Sequence, residues 1–330
     1  MQYGLVFPTT DVHLVPDLAA DAEAAGWDGV FIPDSINIDP KFNNGVPMET
    51  HDPCIVLAAV ALRTQRIRFG TMLTAPSRRR PWKLAHELTT LDHLSNGRLV
   101  LSVGLGALDD QGFGSVGEPT DRKTRVQLLD ESLAILDGLW SGEPLNYNGE
   151  HYRIENMMFA PNPVQQPRIP IWVVGVWPHD RSMARAALWD GLITAKSSQS
   201  GSFDEITPDD IRAMRDWVTE HRTATTPFDI VFESSTPADD RDAASAIVQP
   251  YADAGVTWWL EAFWSPPNDA DAIRERIQAG PPRVDVLDAS TTYDSPCSTC
   301  RSMFEKLDAR LGRRQSPYLP AGGAGSSRRR

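Results

Sequence analysis

Residues 66–106 read RIRFGTMLTAPSRRRPWKLAHELTTLDHLSNGRLVLSVGLG, two apolar segments separated by an amphipathic one. IRFGTML and LVLSVG lack polar alternation, the pattern of parallel strands covered on both faces. Between them Trp82, Leu84, Ala85, Leu88, Leu91 and Leu94 fall near one face of a helix. That helix stops at Asn96-Gly97, where positive φ costs little. The unit is strand, helix, strand, and it ends in Gly-x-Gly. In a parallel sheet such strand exits are where ligands sit.

Working outward, the same unit recurs. Strands are expected at Tyr3 to Phe7, Gly29 to Pro33, Ile67 to Leu73, Leu99 to Val103, Ile169 to Val174, Gly191 to Ala195, Asp229 to Glu233 and Val256 to Ala262. AEAAGWDGVFIP, RAALWDGLITAK and YADAGVTWWLEA each join an Ala-rich helix end to an apolar strand through glycine. This predicts an α/β fold, a (β/α)8 TIM barrel, over residues 1–283. An open doubly wound sheet would instead place Gly-x-Gly-x-x-Gly after its first strand, where this chain has Pro8-Thr9-Thr10. Residues 105–166 read as an insertion after strand four, expected above the barrel mouth to shape an entrance or a subunit contact. Residues 284–330 are rich in Ser, Gly, Pro and Arg and read as a disordered tail.

Composition narrows the function. A net charge of −12 argues against nucleic acid or an anionic membrane as the main partner, and Arg328 to Arg330 offer only a weak electrostatic hold. The N-terminus has no basic, apolar leader and no window is long enough to span a bilayer, so a cytoplasmic protein is expected. Cys54, Cys297 and Cys300 are too few for a disulfide framework. Cys297-x-x-Cys300 has no second ligand pair nearby and reads as incidental, so no metal site is expected.

Several ordered blocks resemble the luciferase-like monooxygenase family of flavin- and deazaflavin-dependent oxidoreductases. They are GLVFP, GWDGVFIPDS, DPCIVLAAVALRTQRIRFGT, the RRRPWKLAHELTTLDHLSNGRLVLSVGLG stretch, RKTRVQLLDESLAILDGLWSG, and GEHY followed by PNPVQQPRIPIWVVG. The resemblance covers about residues 2–265. It implies a TIM-type barrel, a reduced flavin or deazaflavin at the carboxyl ends of the strands, commonly a homodimer, and a non-proline cis peptide falling at Met72-Leu73. Gly104-Leu105-Gly106 offers a floor of little bulk for a flat ring. Asp34 and Ser35, at the end of strand two, join the candidate cofactor residues.

For the cofactor phosphate, Arg125 is the choice by resemblance, with Gly175, Val176, Ser197 and Ser198 as further donors. Arg122 and Arg125 read equally as solvated helix charges. Arg78, Arg79 and Arg80 read as a solvated run or as steering groups for an anion. The family often has His where Ser35 stands and Glu where Ala107 stands, so the usual acid–base groups are missing. His51 and His179 are the remaining acid–base candidates. Phe7, Phe31, Leu73, Leu105, Val176, Trp177 and Trp264 would form an apolar mouth or plain barrel packing. The resemblance implies a monooxygenase using reduced FMN on a small organic substrate, with a separate flavin reductase as partner. The alternatives are an oxidoreductase using coenzyme F-420, a deazaflavin, and a binding protein that has kept the barrel without turnover.

Overall fold

The computed structural model describes residues 1–38, 49–107, 110–198, 203–264 and 269–284. Its strands are β1 (Gln2–Val6), β2 (Gly29–Ile32), β3 (Arg68–Thr71), β4 (Leu99–Val103), β5 (Leu145–Asn148), β6 (Arg153–Met157), β7 (Ile171–Trp177), β8 (Gly191–Lys196), β9 (Asp229–Ser234) and β10 (Trp258–Ala262). The helices are α1 (Leu14–Ala24), α2 (Pro53–Arg63), α3 (Pro81–Ser95), α4 (Gln111–Gly114), α5 (Arg122–Trp140), α6 (Asp180–Ala187), α7 (Pro208–His221), α8 (Arg241–Ala254) and α9 (Ala270–Ala279). All strands but β5 and β6 close into a parallel barrel in the order β1-β10-β9-β8-β7-β4-β3-β2. Each expected strand is present, and the chain order returns a helix to the outside between successive barrel strands.

Local signals set the helix ends. Asp52 accepts from the amides of Cys54 and Ile55 to start α2, and the α3 terminus passes through Asn96 and Gly97 at φ 54° and 81°. Outward strand residues such as Leu5, Val30, Phe69, Leu101, Val173, Leu192 and Trp259 pack against the helices in the larger core. Inward residues Val6, Phe31, Met72, Val100, Trp172, Ile193, Val231, Trp258 and Leu260 fill the barrel as a second core.

At the amino ends of the strands that inner core is aromatic. The rings of Phe31, Trp172 and Trp258 lie 5.2–6.1 Å apart. Glycines make the room: a Cβ on Gly29 would stand 2.8 Å from the Trp258 ring, and one on Gly191 would overlap Trp172. The Trp172 indole N–H donates to Asp229 Oδ2 at 3.1 Å, and the Thr257 hydroxyl donates to Asp229 Oδ1 at 2.9 Å. The barrel is sealed at this end.

The expected insertion resolves into two parts. Helix α5 packs on α3 and is the barrel's own fourth helix; only α4 and the β5–β6 hairpin are additional. The hairpin does not lie above the mouth. It runs along the flank of α5, because buried Glu131 on that helix accepts hydrogen bonds from the amides of Glu150, His151 and Tyr152. Among the described residues no helix is long and apolar enough to cross a membrane. Val284 donates its amide to the Tyr3 hydroxyl at 3.0 Å. The rest of the expected tail, with Cys297, Cys300 and Arg328 to Arg330, lies outside the described residues.

Gly191→Ala should cost about 1–3 kcal/mol through overpacking against Trp172, lowering the melting temperature by several degrees. A calorimetric scan with an unchanged midpoint would mean that the aromatic floor yields freely.

Candidate active site at the carboxyl mouth of the barrel

The opposite end is built from small side chains. Alternation along β4, β8 and β10 brings Gly104, Ala195 and Ala262 to the inward positions nearest the carboxyl ends, one step beyond Ser102, Ile193 and Leu260. Leu73, Val174, Val176, Ala195 and Ala262 are partly exposed there, whereas the layers below are buried. A Cβ on Gly104 would lie 3.1 Å from both Leu73 and Val174, so glycine is what lets these two side chains close beside β4. The Met72-Leu73 peptide is cis, as the resemblance implied. The segment after it is stitched to β4: the Thr74 amide donates to Ser102 O at 2.9 Å and the Gly104 amide to Thr74 O at 3.1 Å.

Among the described residues, the Glu233 carboxylate faces this opening. Glu233 lies two residues beyond inward-facing Val231 on β9, and its Oε1 accepts the Trp264 indole N–H at 2.9 Å. Burial pushes its carboxyl above the usual range, with the indole hydrogen bond opposing. In the barrel order β9 stands four strands from β3 in either direction, so Glu233 is diametrically across the mouth from the Met72-Leu73 bulge. Sequence reading passed over Glu233 because it looked like the polar end of a strand. The inward register of Val231 is the signal that would have found it.

The arginine run after β3 is not solvated as a whole. Arg79 donates to both carboxylate oxygens of Asp34, at 3.0 and 3.2 Å, and approaches Asp52 at 3.6 Å and Glu87 at 3.7 Å. These carboxylates outweigh burial and raise its pKa. Arg78 donates to Asp110 at 2.9 Å and to the Asp34 carbonyl at 2.5 Å, and lies over the Phe113 ring at 4.6 Å. Asp34 is therefore held by two guanidinium groups on the protein's side of the mouth. Arg80 alone of the three is exposed.

The other candidates separate by face. His51 donates its amide to Thr10 and has a buried Nδ1 with no hydrogen-bond partner among the described residues, on the β2 side of the mouth; His179 is exposed at the start of α6. Ser35 follows Asp34 at the exit of β2. Gly175 faces outward, where a Cβ would overlap Leu192. The Val176 amide is taken by the Ser182 hydroxyl at 3.0 Å, and the Ser197 amide and hydroxyl both turn to Trp177 O. Gly106, at φ 72°, abuts Phe113, with partly exposed Leu105 before it. Arg125 is fully buried: its Nε and Nη1 donate to the carbonyls of Pro119 and Ala107 at 2.8 Å, and it sits 3.5 Å from the Phe113 centroid. Among the described residues its Nη2 has no hydrogen-bond partner. Phe7 belongs to the outer core and Phe31 to the floor, so neither lines the mouth.

The residues present fit a planar redox ring. Small inward side chains leave an apolar recess, and the orphaned Nδ1 of His51 and Nη2 of Arg125 are buried polar atoms awaiting acceptors or donors. Flavin and deazaflavin share that flat shape, so the fit does not choose between them.

A family profile described as luciferase-like monooxygenase matches residues 3–285. An uncharacterized protein of Mycobacterium tuberculosis H37Rv is 34% identical over 209 residues, 59% of this chain and 72% of the relative. An F420-dependent glucose-6-phosphate dehydrogenase of Nakamurella multipartita is 31% identical over 234 residues, 69% of this chain and 65% of that enzyme. Among solved structures, an F420-dependent secondary alcohol dehydrogenase in complex with an F420-acetone adduct superimposes with a TM-score of 0.70 at 15% identity, covering 85% of this chain and 98% of its own. At that identity the likeness is one of fold.

A raised carboxyl pKa carries a stability signature. The folded chain binds the Glu233 proton more tightly than the unfolded chain, so stability is lost as pH rises from the ordinary Glu range through the raised value. Glu233→Gln should therefore gain melting temperature over the parent at pH 8 and gain less at pH 4. An equal difference at both pH values would remove the burial argument.

Proposed function

We propose that this chain, which belongs to the luciferase-like monooxygenase family, is an oxidoreductase exchanging hydride between coenzyme F-420 and a small organic substrate at the barrel mouth. The observation that carries this reading is Glu233, a carboxyl whose pKa burial raises, at an inward position of β9 beside an apolar recess. Hydride transfer to or from a carbon–oxygen bond needs such a group near neutral pH, and Ser35 and Ala107 supply none. The names of the F420-dependent relatives support the deazaflavin over FMN, which moves the expected FMN monooxygenase chemistry to second place. A flavin reductase partner belongs to that second reading alone.

The bound coenzyme would supply or accept the hydride. The protein's part is to place and protonate. Trp264 holds Oε1 of Glu233, leaving the other oxygen for the substrate. In carbonyl reduction the substrate carbon takes a hydride and its oxygen takes the Glu233 proton; alcohol oxidation reverses both transfers. Leu73, Val174, Ala195 and Ala262 keep water from the reacting carbon. His51 and Arg125, each with an unpartnered buried nitrogen, are the groups we assign to the coenzyme's polar side, with Gly104, Leu105 and Gly106 beneath its ring.

The homodimer is part of the same proposal. Helix α2 presents Ile55 and Leu62 at 70% and 69% exposure, seven residues apart on one face, with only apolar residues between them.

Titration with each coenzyme, followed by ultraviolet-visible absorbance and fluorescence, should give saturable binding of F-420. FMN binding with reductase-coupled oxygen uptake would overturn the reading in favour of the monooxygenase, and binding of neither coenzyme in favour of a binding protein. Glu233→Gln should lower kcat by about 10²–10⁴-fold while leaving coenzyme binding intact. In the parent, carbonyl reduction should decline as pH rises through the raised Glu233 value and removes its proton. Light scattering at micromolar protein should return twice the chain mass, and Leu62→Lys should return it once.

A further inference from the structure

We infer that the substrate is an uncharged, largely apolar carbonyl or alcohol, in contrast to the phosphorylated sugar named for the Nakamurella relative. The inference rests on the proposed hydride chemistry for the reaction and on the rim of the mouth for the substrate class.

Recognition of a phosphate requires an available guanidinium, ammonium or cluster of amides. Around Glu233 the described rim offers the opposite charge. The loops after β8 and β9 and the starts of α7 and α8 carry Asp204, Glu205, Asp209, Asp210, Asp239, Asp240 and Asp242 against Lys196, Arg212 and Arg241, a net negative rim. Lys196, at the end of β8, is already paired with Asp210 at 2.9 Å, and Arg212 is paired with Asp209. Across the mouth, Arg78 and Arg79 are taken by Asp110 and Asp34, and exposed Arg80 stands at the start of α3, on the side of the ring opposite Glu233. A dianionic phosphate approaching Glu233 would meet repulsion from this rim, in a chain whose net charge is −12.

The same loops expose apolar side chains. Val12 after β1, Ile36 after β2, Phe203 after β8 and Trp264 after β10 are 37%, 53%, 72% and 49% exposed. Exposed apolar groups gathered on loops at one end of a barrel, above a recess of Gly104, Ala195 and Ala262, mark a surface that gains by covering hydrocarbon. Glu233 completes the selection. In its protonated form it donates one hydrogen bond to a neutral oxygen, and in its ionised form it would repel a substrate anion. The indole of Trp264 both orients Glu233 and offers its apolar face to the entrance.

The test uses the full chain in two arms. In the coenzyme-free arm, calorimetry compares binding of cyclohexanone, cyclohexylamine and glucose 6-phosphate. Cyclohexanone should bind, with binding weakened at least about tenfold by Trp264→Ala, a loss of about 1.4 kcal/mol. In the second arm, the F-420-loaded protein is offered cyclohexanol and glucose 6-phosphate, with kcat/KM expected at least 100-fold higher for cyclohexanol. Turnover of the sugar phosphate should rise with salt between about 10 mM and about 150 mM as repulsion is screened, while that of cyclohexanol stays level. Asp239→Lys with Glu205→Lys should raise only the sugar phosphate value. Equal or better use of the phosphate or the amine would overturn the inference while leaving the hydride chemistry intact. Failure to bind F-420 would overturn the hydride chemistry, with the calorimetric arm still deciding the substrate class.

Discussion

The constraint on which this structure depends is the volume inside a closed ring of eight strands. Side chains alternate in and out, so each strand contributes only a few inward groups, and these must either fill the ring or leave it open. Here the filling is concentrated at one end. Trp172 and Trp258 occupy the amino ends, where Gly191 on β8 and Gly29 on β2 give up side chains to admit the indoles. The carboxyl ends receive glycine and alanine on three strands. The recess is the complement of the plug, and both come from one choice of where bulk is spent.

Strand β9 shows how position alone divides two similar carboxyls. Asp229 and Glu233 both face inward, and both accept a hydrogen bond from an indole N–H. Asp229, at the sealed end, has a second donor in Thr257 and serves to fix Trp172. Glu233, at the open end, has one oxygen held by Trp264 alone. Burial raises the pKa of each carboxyl. The first is structural because both its oxygens are held by neighbouring side chains; the second faces an opening.

Much of the fold was legible in the sequence because parallel strands and their helices leave periodic apolar signals, and residues 66–106 carry a whole unit of them. The site was legible in part. The cis peptide at Met72-Leu73 stands where the resemblance implied it, and Gly104 lies inward at the exit of β4. The arginines were not legible, since a run of three basic residues looks the same whether solvated or paired with Asp34, Asp110 and Glu87 from distant segments. Arg125 likewise reads as a helix charge until Phe113 and the carbonyls of Pro119 and Ala107 are seen around it. Glu131 holds the hairpin to α5 by contacts about 20 residues apart, which no local pattern announces.

The seam of the ring is formed by β1 and β10, which pair from Gln2 with Trp258 to Val6 with Ala262. During synthesis the first strand therefore waits for a partner some 250 residues away, which at about 5–20 residues per second is roughly 10–50 s on the ribosome. Until then β1 has an unpaired edge, and the indoles of β7 and β10 have no closed interior to enter. Such a nascent chain favours early shielding by folding helpers, and release of the finished carboxyl-terminal strand becomes the event that commits the barrel.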